Sequence, residues 1–325
     1  MKKPTIIIAG VTVGIFVLLF AFALLYIRPT DPQAEESLFV ISRTNQSETT
    51  NRLQESGYIR SPLSLAIARL TTFRFGGFKP GGYKISKSMD ARRLMAILTL
   101  EPQLKWITIP EGLRKEEIGK RLAKELHWSD EELEKWNTTY TMMEFDYREG
   151  VYFPDTYLIP VDENGLATAK RMIIRFNDRF AGYPEKFSKQ DVKWTTALKI
   201  ASIVQREAAG KEDMPLIAGV IWNRLLNDQP LEIDATVQYA RGNTSSGWWA
   251  PIKAIDIDNI DSPYNTYKNK GLPPTPISNP GMDAINAVLN PAETDCYYYL
   301  HDDSRQIHCA VTLEEHEANI DRYLK

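Results

Sequence analysis

A glutamate at the end of an apolar helical stripe is the residue of this sequence best placed for acid–base chemistry. Between 194 and 208 the residues Ala197, Ile200, Ala201, Ile203 and Val204 recur at helical spacing, and Ile200, Ile203 and Val204 lead at i+7, i+4 and i+3 to Glu207. A carboxyl on a face that otherwise enters the core is desolvated. Desolvation raises its pKa toward the range a general acid needs near neutral pH. The competing expectation is a last-turn glutamate swung outward to pair with Lys211, four residues on. Asp234, flanked by apolar residues in Leu231-Glu232-Ile233-Asp234-Ala235-Thr236, is a second candidate carboxylate, although Asp–x–Thr is also an ordinary helix start. Asn223 and Arg224 end the preceding helix, where solvent exposure or local capping accounts for both.

Other chemistries find little support. There is no G-x-S-x-G, no G-x-x-x-x-G-K-[ST] and no H-E-x-x-H. His127, His301, His308 and His316 share no ligand spacing with acidic residues, so neither a metal nor another cofactor is expected. With 39 basic against 42 acidic residues and no basic run, nucleic acid is not an expected partner. What remains is carboxylate chemistry beside an aromatic-rich stretch.

The elements that must position these residues read as α+β. Strand-like 38–41 is followed by short helices at 49–56 and 61–70, a turn into a strand at 81–85 and a helix at 90–98. A second strand–turn–helix unit runs from 106 to 126, and 128–147 joins the halves. The second half holds helices at 167–180, 194–208 and 215–226. Residues 227–291 then carry 8 of the 19 prolines, with Trp248, Trp249, Tyr264 and Tyr267. That composition is wrong for disorder and predicts an ordered loop lining a site.

Residues 5–27 contain no charge. As a helix they reach about 34 Å, enough for a ~30 Å hydrocarbon core. A cleavable signal would have an apolar region of about 7–15 residues ending in a small-residue site; here the run continues through Leu24-Leu25-Tyr26-Ile27 to Arg28-Pro29. The sequence therefore predicts a short cytoplasmic tail at 1–4, a single transmembrane helix at 5–27 and a stalk at 28–36. Lys2 and Lys3 place the remainder outside the cytoplasm, on the periplasmic side of the inner membrane. Near the C-terminus, 297–300 and 307–311 read as a hairpin. A two-residue turn at Asp302-Asp303 would set Cys296 opposite Cys309, leaving open a cross-strand disulfide or two free thiols.

Several strings, in order, resemble the endolytic murein transglycosylase family (MltG, or YceG-like): Ala201-Ser202-Ile203-Val204-Gln205-Arg206-Glu207, Asn223-Arg224-Leu225, Asp234-Ala235-Thr236-Val237-Gln238-Tyr239, Ser262-Pro263-Tyr264-Asn265-Thr266-Tyr267, Gly271-Leu272-Pro273-Pro274 and Ile277-Ser278-Asn279-Pro280-Gly281. Upstream, Glu149-Gly150 and Phe153-Pro154-Asp155-Thr156-Tyr157 fit as well. The family pattern I-V-E-x-E-T has Gln205 at its first glutamate and Ala208 after its second, and Ala235 stands where the family commonly has proline. The resemblance implies a LysM-like region at 37–130, best matched at Lys79-Pro80-Gly81-Gly82-Tyr83, before a catalytic domain at 149–325. It implies a lytic transglycosylase in which Glu207 is the single acid/base. Asn223, Asp234, Thr236, Tyr264 and Asn265 would hold the sugar or support Glu207. Peptidoglycan strands are the implied substrate, with penicillin-binding proteins and elongation or division complexes as implied partners. A muramidase using Asp234 as second carboxylate, and a non-catalytic glycan-binding scaffold, are the alternatives.

Overall fold

The computed structural model describes residues 22–23, 25–42, 45–142 and 149–324. Most of the expected transmembrane segment 5–27 and the cytoplasmic tail 1–4 lie outside the described residues. Among those described, no helix is long and apolar enough to cross a membrane. Helices and strands are mixed throughout, as expected for an α+β chain. They gather into two compact units, one formed by the chain up to Ile107 with Tyr157–Asp162, the other by Thr108–Thr156 and the chain from Glu163 on.

The first unit is built on a sheet of strands β1 (Glu36–Ile41), β2 (Gly81–Ser86), β3 (Leu104–Thr108) and β4 (Thr156–Pro160), in that spatial order. β1 and β2 pair antiparallel from Glu36↔Ser86 to Ile41↔Gly81. Gly81 has φ +145°, and a Cβ there would meet Pro102 Cβ at 2.4 Å, so only glycine lets the strand start beneath that proline. Helices Gln46–Glu55 and Ala91–Leu98 are capped by Asn45 and Asp90 side chains, each accepting from backbone N–H groups of the first turn. Phe39, Ile41, Leu53, Tyr83, Ile85, Leu94 and Met95 meet in the core, and Ile27 is part of the same cluster. The residues read as a stalk are bonded to this unit: Thr30 and Asp31 donate their N–H groups to Lys87 O, and Ala34 O accepts from Ser86 Oγ.

The second unit is centred on helix Trp194–Glu207, which packs against helices Met214–Leu226 and Met282–Leu289. Ile200, Ile203, Val204, Ile217, Val220, Ile221, Ile285 and Val288 form the shared apolar seam. The long stretch expected as loop contains three helices, Asp234–Arg241, Ala254–Asn259 and Met282–Leu289. Each is eight residues or fewer, too short for two full turns of pattern to stand out from the surrounding prolines. Helix Asp130–Thr138, which begins with the four acidic residues Asp130-Glu131-Glu132 and, after Leu133, Glu134, was likewise not apparent from apolar spacing.

The C-terminal hairpin differs from expectation in register. β5 (Tyr298–His301) and β6 (Ile307–Ala310) pair as His301↔Ile307, Leu300↔His308, Tyr299↔Cys309 and Tyr298↔Ala310. The turn is longer than two residues because Asp302 organises it: its Oδ1 accepts from Gln306 N (2.9 Å) and Ser304 Oγ (2.7 Å), and its Oδ2 meets His308 Nε2 at 2.8 Å. Cys309 therefore stands opposite Tyr299, not Cys296. Cys296, just ahead of β5, still reaches it and the two form a disulfide with Cα atoms 5.9 Å apart. Closing a loop of this length constrains the unfolded chain by about 3 kcal/mol. Replacing both cysteines by serine should lower stability by about that amount in urea denaturation without reductant; an unchanged midpoint would mean that the hairpin's other contacts suffice.

Candidate active site

Glu207 is the last residue of its helix, since Ala208 turns to ψ 135° while its N–H still bonds Val204 O. The stripe beneath it is buried, with Ile200, Ile203 and Val204 at 0% exposure. The glutamate itself is half-buried at the wall of a cavity of about 350 Å³, shared with Val220, Ile221, Leu231, Asp234, Tyr267 and Tyr299. The outward pairing is not adopted: Lys211 pairs with Glu212 instead. Burial pushes the Glu207 carboxyl above its usual value, while the hydrogen bond from Tyr299, 2.9 Å from Oε2, draws it back. The charge of Asp234 adds to the rise; the backbone N–H of Ala235 and the Arg206 guanidinium oppose it. Tyr299 is itself held well above the ordinary phenol range by burial and by the Glu207 charge, so it acts here as a donor.

Asp234 opens helix Asp234–Arg241 on the same cavity, exposed, with Oδ1 accepting from Tyr267 OH at 2.6 Å. Arg224, assigned from sequence to solvent or a cap, is buried beneath the cavity. Its Nε donates to Tyr297 O (2.6 Å), and its Nη1 to Leu231 O (2.9 Å), Pro230 O (3.0 Å) and Glu232 Oε2 (3.0 Å). It thus ties the segment leading to Asp234 to the strand that carries Tyr299.

The other expected site residues are spent on the frame. Asn223 donates to Thr294 O (2.7 Å) and Cys296 O (3.1 Å), fastening the chain that enters β5. Gly219, one turn earlier, allows this approach: a Cβ there would stand 2.4 Å from Ala292 O. Thr236 is fully buried, its hydroxyl on Ile233 O (2.6 Å) and against Thr266 Oγ1 (2.9 Å). Asn265 is also fully buried and donates to Ile257 O and Ile260 O. Tyr264 meets Thr275 Oγ1 at 2.7 Å and packs on Tyr239. Of the six expected residues, the cavity brings together Glu207 and Asp234. Tyr267 was named only among the aromatics of the loop expected to line a site, and it does line the cavity. Tyr299 was not singled out, because its sequence signal was a strand of alternating faces, and which face meets Glu207 depends on the hairpin register.

Behind Glu207 lies a second layer. Gln205 Oε1 accepts from Gly281 N (2.9 Å), and its amide bonds the Glu111 carboxyl, which burial and Asp283 push upward. Trp248 and Trp249 are stacked on guanidinium groups, Arg114 lying 4.2 Å from the first ring and Arg206 3.9 Å from the second. Trp249 also donates to Glu117 Oε2 (2.9 Å). These contacts order the loop after Asp234–Arg241. Among the described residues, no group of His, Cys, Asp and Glu converges as a metal site.

A profile of the YceG-like family matches residues 39–322. The chain belongs to the YceG-like family. It is 32% identical over 270 residues to a Bacillus subtilis (strain 168) protein named endolytic murein transglycosylase, covering 76% of this chain and 74% of that one. A Streptococcus pneumoniae (D39) protein of the same name is 31% identical over 312 residues. That match takes in 85% of this chain but 56% of the pneumococcal one, so the chain spans little more than half of that relative. The crystal structure of a YceG-like protein from Listeria monocytogenes shares the fold with a TM-score of 0.60 at 25% identity, over 88% of this chain and 99% of that chain. This YceG-like chain thus places a glutamate and an aspartate, each bonded by a tyrosine, on one cavity.

Proposed function

We propose that this YceG-like protein is an endolytic peptidoglycan lytic transglycosylase that cleaves the β-1,4 bond between N-acetylmuramic acid and N-acetylglucosamine, with Glu207 as its acid/base. The observation that carries this reading is the half-buried Glu207 on the cavity wall, its carboxyl raised by burial in the direction a general acid requires. The names of the Bacillus and pneumococcal relatives support the same substrate. The protonated carboxyl gives its proton to the glycosidic oxygen. As carboxylate it then takes the proton of the muramic acid C6 hydroxyl while that oxygen closes onto C1, leaving a 1,6-anhydro end. One carboxyl suffices, because the substrate supplies the nucleophile.

In this reading the apolar run within residues 5–27 anchors the protein in the inner membrane, its last residue Ile27 packing into the first unit, with the catalytic part in the periplasm. Residues 37–130 form a LysM-like glycan-binding region, residues 149–325 the catalytic domain, and penicillin-binding proteins with elongation or division complexes are the partners. Cleavage within new strands would limit their length during wall synthesis.

The test is mass spectrometry of purified glycan strands digested by the full chain. Anhydro-muramyl ends are expected from the wild type and about 10³-fold fewer from Glu207→Gln; strands bound but left uncut by the wild type would favour a scaffold. Asp234 supports a second reading, since its charge reaches Glu207 across the same cavity. A muramidase would use it as second carboxylate and leave reducing ends. Asp234→Asn keeps an oxygen that accepts from Tyr267 and removes only the charge. It is therefore expected to keep anhydro products with a rate within about tenfold of wild type, the difference between a charged and a neutral hydrogen bond being about 1 kcal/mol. Reducing ends that vanish in Asp234→Asn would replace the transglycosylase by the hydrolase.

A further inference from the structure

Tyr299 reaches Glu207 from a different part of the chain, and its direction is set by bonds to the strand that carries it. Its hydroxyl lies 2.9 Å from Glu207 Oε2, and its carbonyl neighbour along the strand, Tyr297 O, is held by Arg224 at 2.6 Å. Its cross-strand partner is Cys309, which is tied covalently to Cys296, and Cys296 O is gripped in turn by Asn223. The Arg224 bond to Tyr297 O and the Cys296–Cys309 disulfide, itself seated by Asn223, thus fix one phenol against one carboxyl oxygen. Asn223 is not on the cavity, and Arg224, which lines it, spends its hydrogen bonds on neighbouring chain; both act on the backbone that presents Tyr299.

We propose that Tyr299 is the positioning residue of the reaction, holding Oε2 of Glu207 so that Oε1 alone gives and takes the proton, and stabilising the carboxylate that exists between the two transfers. This rests on Glu207 being the acid/base. In the first transfer Oε1–H protonates the glycosidic oxygen, and the C1–O bond breaks with its electron pair passing to the leaving N-acetylglucosamine. In the second, Oε1 takes the C6 hydroxyl proton as O6 bonds to C1, and the enzyme returns to its starting state with no water consumed. Tyr299 keeps its own proton throughout, and its hydrogen bond is strongest when Glu207 is ionised. Interactions that strengthen as charge develops lower the barrier to the step that develops it.

Other charged groups face the same carboxyl. Arg206 is on its own helix, and Asp234 and Tyr267 come from the helix and loop opposite. Arg224 lies under β5, and His316 on helix Leu313–Tyr323 lines the cavity. Asp234 works against the carboxylate and Arg206 for it, and neither changes when Tyr299 is replaced.

The test is the pH–rate profile of Tyr299→Phe in the full chain on purified glycan strands, with His316→Gln run beside it so that imidazole titration is not mistaken for that of Glu207. Loss of a hydrogen bond to an ionised group predicts a fall in kcat of about 10–100-fold, with KM nearly unchanged. Because the phenol favours the ionised form, its loss raises the Glu207 pKa, so the alkaline limb of the profile should move to higher pH. Direct titration of the Glu207 carboxyl by NMR, which needs no turnover, should show the same upward displacement. A fall in kcat with an unmoved limb and an unmoved titration would reduce Tyr299 to a structural residue and overturn the proposal, as would unchanged kinetics. If the wild type releases reducing ends, the transglycosylase reading falls, while the limb and the titration still report on Tyr299 and Glu207.

Discussion

Glu207→Gln is expected to lose glycan cleavage by about 10³-fold, within the range for removal of a positioned general acid, and to be more stable than the wild type at neutral pH. Both effects have one origin. Burial raises the folded-state pKa of Glu207 above its unfolded value. The folded protein therefore holds that proton more tightly than the unfolded chain. The resulting contribution to stability is complete below the ordinary carboxyl range and is lost as pH rises through the folded pKa. Above that point the wild type carries a desolvated carboxylate, whereas glutamine never ionises and still accepts from Tyr299. Thermal melts at pH 4 and pH 7.5 should show the variant gaining on the wild type only at the higher pH. A variant that melts below the wild type at both values, or one that still cuts strands, would remove Glu207 from the role assigned to it.

A comparably large effect is expected far from any reacting atom. Asn279 is fully buried and uses its amide completely. Its Oδ1 accepts from Gly150 N and Tyr152 N, both at 2.9 Å, and its Nδ2 donates to Leu113 O (3.0 Å) and to Glu149 Oε2 (2.8 Å). Glu149, also fully buried, accepts from Lys115 N through both oxygens, and burial holds its carboxyl well above the usual range. Asn279→Ala strands two buried backbone donors, Gly150 N and Tyr152 N, while Leu113 O keeps the N–H of residue 279 and Glu149 Oε2 keeps Lys115 N. At about 1–3 kcal/mol for each buried group left unsatisfied, and allowing for partial relaxation, a loss of about 4 kcal/mol is expected in urea denaturation. Asn279→Asp keeps the shape but sets a second carboxyl against Glu149, so its deficit should shrink as pH falls and the new group takes up a proton. A deficit that is the same at pH 5 and pH 8 would show that amide geometry, and not charge, is what the position requires.

These two residues illustrate how much could be read before any coordinates. Glu207 was legible because its signal is local: a 3.6-residue period, carried by Ile200, Ile203 and Val204, points the seventh residue at whatever the stripe faces. The mixed α+β character and the helices 194–207 and 214–226 were legible for the same reason. Asn223, Thr236, Asn265 and Tyr264 were expected to hold the sugar or to support Glu207, and the structure gives each a framework partner. Asn223 binds carbonyls 71 and 73 residues away, and Thr236 a hydroxyl 30 residues away. No spacing rule reaches across such separations. Tyr299 was hidden by register, since Asp302 builds a longer turn than its Asp-Asp sequence suggests and so changes which residues stand opposite one another.

The amide at Gln205 has a consequence for how the helix that carries Glu207 tolerates alkali. Its oxygen must accept from Gly281 N while its other end must donate to Glu111. A glutamate there, as in the family pattern, meets both demands only while it keeps its proton. Once ionised, it would face Glu111 as a like charge and lose its donor. Glutamine has the shape of that protonated acid but cannot titrate. The departure from the family pattern therefore conserves the bonding and removes a pH-dependent joint from the seat of Glu207, so that the alkaline limb of activity in this chain should belong to the reacting groups alone.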